Sequence, residues 1–270
     1  MPELPEVETV RQTLRQFVLN KRIENVDILY PKIIENDVEE FVSKVSGQVI
    51  REIDRYGKYL IFQLDDCAFL SHLRMEGKYN IVSSNTPLDK HTHVVFHLDE
   101  NIDLRYHDTR KFGRMKLCDR YIYKKQLPLS KLGKEPFEIT TDELYQKLHS
   151  SSLPIKMALL DQTIMCGIGN IYANEICFML GLHPHTRSSR LSKRRVDELR
   201  KVSIDVLNKA IAQGGTTIHS FDSNGITGLF QVQLNVHMKK SCPICKGLIT
   251  KEMYKGRGLY YCKQCQKRRY

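Results

Sequence analysis

The chain begins Met1-Pro2-Glu3-Leu4-Pro5-Glu6, and removal of the initiator methionine, which a small second residue permits, turns Pro2 into an N-terminal secondary amine. An α-amino group has a pKa of about 7.7 to 8 against about 10.4 for lysine, so near neutrality its nucleophilic fraction is roughly a hundredfold larger. Adding to an aldehyde-level sugar carbon, a secondary amine gives a cationic iminium, an electron sink for later elimination. Glu3 stands beside it as a proton donor. The competing reading of the same residues is that Pro2 only opens a helix, since proline suits a first turn.

A second constellation lies at the other end. Cys242-Pro-Ile-Cys245 and Cys262-Lys-Gln-Cys265 are two CxxC knuckles separated by sixteen residues. That spacing supplies four thiolates in tetrahedral geometry and leaves enough chain between them for a β-hairpin, which points to one structural Zn2+ per chain. With four sulfur ligands no coordination position stays open for catalysis. A disulfide framework is the rival reading, and a cytoplasmic chain argues against it. Cys67, Cys118, Cys166 and Cys177 follow no such pattern and read as buried thiols.

Both constellations need scaffolds. Leu4, Val7, Val10, Leu14 and Phe17 recur every three or four residues, so the reactive end is expected to run into an amphipathic helix. Residues 22 to 120 read as short β runs, among them 59–64, 93–98 and 114–117, with turns at Asp65-Asp66 and at Asp99-Glu-Asn101. A β-sandwich flanked by helices fits. The polar segment from Lys131 to Pro136 looks like a linker, and helical patterning follows over 141–149, 155–164, 170–181 and 192–213, broken by Gly167-Ile-Gly169. Two glycines before a helix can offer backbone N–H groups and a positive dipole end to a phosphate, with Asn170 as a cap or direct ligand; a plain helix-turn-helix is the alternative. The expected fold is therefore α+β and two-domain: a catalytic helix plus β-sandwich over 1–130, a linker over 131–140, a helical domain over 141–235 and a four-cysteine hairpin over 236–270.

The net charge of +11 favours a polyanionic partner, either nucleic acid or an anionic membrane surface. Residues 241–270 hold eight Lys or Arg against the single acid Glu252. No run of 18 or more apolar residues occurs, and the acidic start is unlike a secretory signal, so a cytoplasmic, nucleoid-associated protein is expected.

Taken together these residues resemble the formamidopyrimidine-DNA glycosylase family of bacterial base-excision repair enzymes. The resemblance spans nearly the whole chain. It is carried by residues 2–8, Tyr56-Gly-Lys-Tyr-Leu60, His72-Leu-Arg-Met-Glu-Gly77, Lys90-His-Thr-His93, Asp108-Thr-Arg-Lys-Phe-Gly113, Leu159-Leu-Asp-Gln162, Gly167-Ile-Gly-Asn-Ile-Tyr172 and the cysteine ribbon with Gly256-Arg257-Gly258. It implies a helix-two-turn-helix fold in the second domain and a monomer that binds duplex DNA carrying an oxidised purine opposite cytosine, in a basic cleft between domains.

The resemblance also implies roles. Pro2 attacks C1′ of the damaged nucleotide, Glu3 assists ring opening, Glu6 is a supporting carboxylate, Lys58 lies near the scissile sugar, and Arg257 binds the flanking phosphates and serves δ-elimination. Met75, Arg110 and Phe112 match the set that fills the void left by an extruded base, with the arginine pairing to the orphaned cytosine. His91, Lys111 and Asn170 are expected at phosphates, and Lys156 near the damaged base. Two departures stand out. Ser151-Ser152 replace a frequent basic residue. The lesion loop 220–229 ends in Gly-Leu-Phe where relatives have Gly-Tyr-Phe, with Val236-His-Met238 following in place of Val-Tyr-Gly. The rival assignments are an endonuclease VIII-like enzyme for oxidised pyrimidines and a zinc-ribbon DNA-binding protein without catalysis.

Overall fold

The structure, a computed structural model, describes residues 1–214 and 234–267. The lesion loop 220–229 and the terminal Arg268 and Arg269 lie outside the described residues. The chain divides into two compact units, with the break after Ser130.

In the first unit, helix α1 spans Leu4–Val18, with Glu3 at its N-cap and a proline in its first turn. Leu4, Val7, Val10, Leu14 and Val18 are fully buried. Phe17, expected on that face, is 41% exposed, because a step of four from Leu14 brings Val18 inward instead. Then follow β1 (Ile23–Ile28), α2 (Val38–Val45), β2 (Glu52–Tyr56), β3 (Tyr59–Gln63), β4 (Ala68–His72), β5 (Lys78–Ser83), β6 (Thr92–Leu98), β7 (Ile102–His107) and β8 (Arg114–Cys118). They form two antiparallel sheets ordered β1-β6-β7-β5 and β2-β3-β4-β8. Phe69 joins the sheets, stacking on Phe62 at 4.5 Å and on Phe96 at 5.3 Å. Helix α2 is absent from the sequence reading. Asp37 caps it by accepting the Glu40 N–H at 2.9 Å, and Phe41 and Val45 drive its packing into the core.

His97 on β6 is clasped from both ring nitrogens: Nε2 lies 3.0 Å from Asp27 and Nδ1 2.9 Å from Asp103. Partial burial opposes its protonation, but the two carboxylates outweigh that and raise its pKa above the ordinary 6.5. A raised folded-state pKa stabilises the fold below the unfolded value and is lost as pH climbs through the folded one. The thermal midpoint is therefore expected to fall as pH rises from about 6.5 through the raised value. His97→Gln should flatten that part of the profile, measured by calorimetry; an unchanged slope would remove the imidazolium from the account.

The second unit contains α3 (Thr141–His149), α4 (Ile155–Leu160), α5 (Asn170–Met179), α6 (Lys193–Ala212) and the hairpin strands β9 (Ile249–Tyr254) and β10 (Arg257–Cys262). Helix α4 stops four residues before its expected end. Asp161 Oδ1 accepts from the Thr163 N–H at 2.9 Å and the Thr163 hydroxyl at 2.7 Å, a local turn that competes with helix. Residues 131–140, expected as a linker, are built into this unit. The Gly133 N–H donates to Gln162 O at 2.8 Å, the Cys166 N–H donates to Lys134 O at 3.2 Å, and Ile139 is buried. Among the described residues no helix is long and apolar enough to cross a membrane.

Candidate active site and metal centre

Pro2 is buried at the start of α1, and Glu3 and Glu6 are 2% and 1% exposed. Glu6 Oε2 accepts the Glu3 N–H at 2.8 Å, so the Glu6 carboxylate fixes the backbone from which residue 3 projects. Helical hydrogen bonding, with Val7 N–H on Glu3 O at 3.0 Å, ties this end to a rigid element.

Lys58 is 6% exposed in the two-residue turn joining β2 to β3. Its charge reaches His72 on the neighbouring β4. Burial first, then the charges of Arg74 and Lys58, hold the His72 pKa down at about 3, so its ring is neutral. That ring stands edge-on to Tyr59 at 4.6 Å, and its Nδ1 accepts the Arg74 N–H at 2.9 Å.

Met75, Arg110 and Phe112 all reach solvent, Met75 at 37% and Phe112 at 47% exposed, on two loops after β4 and β7. Apolar side chains of this size are exposed singly elsewhere on the surface, so what distinguishes these two is their grouping with Arg110 on two linked loops. Fully buried Asp108 builds the second loop. It accepts from the N–H groups of Arg110, Phe112 and Gly113, each at 2.9 Å, and this turns the Arg110 and Phe112 side chains outward. The Arg110 guanidinium lies 4.8 Å over the Phe112 ring, and Thr109 hydrogen-bonds Glu76 on the first loop.

The two loops also meet at Tyr106, which is completely buried; a Cβ added at Gly77 or at Gly113 would run into its hydroxyl. Gly113→Ala is therefore expected to cost about 1–3 kcal/mol in thermal unfolding or to displace the loop. A retained midpoint would show that the ring can yield. Half-buried His91 and exposed Lys111 complete the polar set of this unit. The His91 N–H donates to Asp89 at 2.8 Å, and the Lys111 ammonium lies 4.8 Å over the Tyr30 ring.

In the second unit Gln162 shapes the glycine turn. Its Oε1 accepts the Gly167 N–H at 3.0 Å, and its Nε2 donates to Ile168 O at 2.9 Å. Gly167 takes φ +97°, and helix α5 starts directly after Gly169. Asn170 is the first helical residue rather than the cap, and its Oδ1 is buried with no hydrogen bond among the described residues. Lys156, expected near the damaged base, is fully buried, and its ammonium donates to Gly258 O at 2.6 Å. Arg257 is exposed beside the β9–β10 turn, where Lys255 and Gly256 both have positive φ, as a two-residue hairpin with matching twist requires.

Cys242, Cys245, Cys262 and Cys265 bring their sulfurs within 4.8 Å of one another. Cys242 and Cys265 stand 3.7 Å apart and Cys245 and Cys262 3.4 Å, spacings that suit a tetrahedral ion with metal–sulfur bonds of about 2.3 Å. Gln266 fastens this centre to the segment after α5, accepting the Cys262 N–H at 2.9 Å and donating to Leu182 O at 2.8 Å.

Sequence reasoning missed the anchoring carboxylates. One is Asp108; another is Glu175 on α5, which is 1% exposed and accepts from the N–H groups of Asn235, Val236 and His237 at 2.7, 3.0 and 2.9 Å. The available signal was an acid amid the apolar residues of α5.

Residues 1–115 match the family model of the formamidopyrimidine-DNA glycosylase N-terminal domain, and residues 132–222 that of the formamidopyrimidine-DNA glycosylase H2TH domain. The chain is 45% identical to the formamidopyrimidine-DNA glycosylase of Bacillus licheniformis over 99% of this chain and 100% of that one. To that of Bacillus subtilis it is 44% identical, over 98% and 99%. The complex of wild-type Lactococcus lactis Fpg with an N7-benzyl-Fapy-dG containing DNA superposes with a TM-score of 0.93 at 35% identity, covering 99% of this chain and 100% of that one. The Lactococcus lactis Fpg complex with an abasic site containing DNA gives 0.92 at 35%, covering 98% and 100%.

Proposed function

The chain belongs to the formamidopyrimidine-DNA glycosylase family, a DNA glycosylase family of DNA repair, and from that premise we propose that it is a bifunctional glycosylase and abasic-site lyase acting on oxidised purines in duplex DNA. The observation that carries this reading is the presence, in one unit, of a rigidly held Pro2-Glu3 start and an exposed Met75, Arg110 and Phe112 set.

With Met1 removed, the Pro2 nitrogen forms a bond to C1′ and gives up its proton while the C1′ bond to the base breaks, the electron pair leaving with the base, which takes up that proton. Glu3 gives a proton to the ring oxygen as the C1′ bond to that oxygen opens, and the nitrogen lone pair completes the iminium. Loss of a C2′ proton drains electrons toward the iminium and expels the 3′ phosphate. A second elimination expels the 5′ phosphate, and water releases Pro2. Lys58 holds charge and moves protons at the sugar, and Arg257 neutralises the flanking phosphates.

Extruding the base costs a few kcal/mol, which Met75 and Phe112 offset by filling the gap while Arg110 answers the orphaned cytosine. His91, Lys111 and Asn170 supply phosphate contacts, so affinity falls steeply with salt. Lys156 acts on the hairpin beside Arg257. The four cysteines hold one Zn2+, whose part is to fix that hairpin. The enzyme works as a cytoplasmic monomer.

Two measurements test the assignment. Borohydride with abasic-site duplex should yield a covalent adduct that maps to Pro2 by peptide mass spectrometry, and its absence in protein lacking Met1 would leave a DNA-binding protein without catalysis. Excision from 8-oxoguanine:cytosine should outpace excision from thymine-glycol duplex. The reverse order would make the chain an endonuclease VIII-like enzyme.

A further inference from the structure

The turn that carries Lys58 is held by a buried ion-pair network that no role above uses. Arg55 pairs with Leu60 and Tyr56 with Tyr59, so Gly57 and Lys58 form a two-residue hairpin loop, and Gly57 takes the positive φ of +57° required at its first position. The Gly57 carbonyl belongs to the same peptide plane as the Lys58 N–H. Arg55 donates to that carbonyl at 3.2 Å through one terminal nitrogen, and through Nε to Glu8 Oε2 at 2.9 Å.

Glu8 sits on α1, just past the first turn that follows Pro2 and Glu3, and is itself enclosed. Arg11 reaches it at 2.6 Å and Gln12 at 3.0 Å, and the Glu8 and Arg55 side chains are 10% and 11% exposed. Burial opposes the Glu8 charge, but the hydrogen bonds from Arg11 and Arg55 bring its pKa below the ordinary carboxylate value, so it stays ionised.

The two arginines do different things. Arg11 already ties α1 to β2, donating to Ile53 O at 3.4 Å while it grips Glu8. The second bond of Arg55 reaches the other way, to the peptide plane from which Lys58 departs, and bears on that plane's orientation. We propose that Arg55, held by Glu8, is a positioning residue that aligns the Lys58 turn with the helix presenting Pro2. The inference rests on the proposed lyase reading, in which Lys58 acts on a sugar already bonded to Pro2. Such chemistry is sensitive to misplacement on the scale of an ångström.

Arg55→Lys is the discriminating variant, because an ammonium can still pair with Glu8 but lacks the second arm that reaches Gly57 O. With the full chain, zinc loaded, the thermal midpoint is expected to stay within about 3 °C of the parent. Kd for a duplex with an uncleavable tetrahydrofuran site should stay within about twofold. Single-turnover strand scission at a preformed abasic site should slow by about tenfold or more. Glu8→Gln should slow it in the same way, and the double variant should show less than the product of the two losses. Scission at the parental rate in Arg55→Lys would overturn the inference, as would a loss that only tracks midpoint and Kd. If the parent forms no borohydride adduct, the lyase reading itself fails, an outcome separate from either.

Discussion

Pro2→Gly lowers the yield of borohydride-trapped adduct on abasic-site duplex by about a hundredfold or more, while binding of an uncleavable duplex stays within about threefold. Glycine still presents an amine after Met1 is removed, so the expected loss measures what the ring contributes. A secondary amine goes to a permanently charged iminium, and the pyrrolidine fixes φ where the chain enters α1. Glycine would leave the end loose in front of the buried Glu3. Equal loss of trapping and of binding would instead make Pro2 a structural residue. The same assay on protein that retains Met1, recognised by its intact mass, should give no adduct, because the Pro2 nitrogen is then an amide. Met1 is 40% exposed, so its removal meets no packing barrier at its own side chain.

The second large effect concerns the metal. Cys245→Ser is expected to release the one equivalent of zinc and raise Kd for duplex by about tenfold or more, a loss of at least about 1.4 kcal/mol. Cys245 and Cys262 sulfurs are 3.4 Å apart, and Cys262 closes the strand that begins at Arg257, so losing one ligand unpins the whole hairpin. Zinc content is read by atomic absorption and affinity by fluorescence anisotropy. Zinc content equal to the parent's would refute the four-ligand centre; lost zinc with parental affinity would free Arg257 from dependence on it.

Much of the fold was legible because its signals are local. The two CxxC knuckles announce a four-sulfur centre by spacing alone, and the apolar stripe from Leu4 to Leu14 announces α1. What failed was competition between local signals. Asp161 looked like one more residue of a helical run, yet its side chain captures Thr163 and ends α4. In α2, Val38, Phe41, Val42 and Val45 have helical spacing, and Asp37 is a good cap, but eight residues among strands are easily absorbed into them.

The candidate site was legible in a different way. Pro2 and Glu3 could be argued from their chemistry, whereas Lys58, Arg257 and the Met75, Arg110 and Phe112 set stood out through resemblance. How those side chains are held was illegible, since three N–H groups converging on Asp108, or Arg55 bridging Glu8 to Gly57, exist only after strands distant in sequence have paired. Taken alone, Phe112 reads as a core residue, and the Asp108 turn puts it outside.

Tyr106 couples the loop that carries Met75 to the loop that carries Arg110 and Phe112. Because one phenolic oxygen occupies the space that a side chain at residue 77 or residue 113 would need, these three positions cannot drift independently. Losing the hydroxyl, and with it the hydrogen bond that Tyr106 gives Asp108 at 3.5 Å, would not by itself make room for alanine, since a Cβ at residue 77 would still meet Leu73 O at 2.5 Å and one at residue 113 the Tyr106 ring at 2.6 Å. Alanine at either glycine therefore needs the Tyr106 ring or the backbone around it to move, so the two loops share one packing constraint.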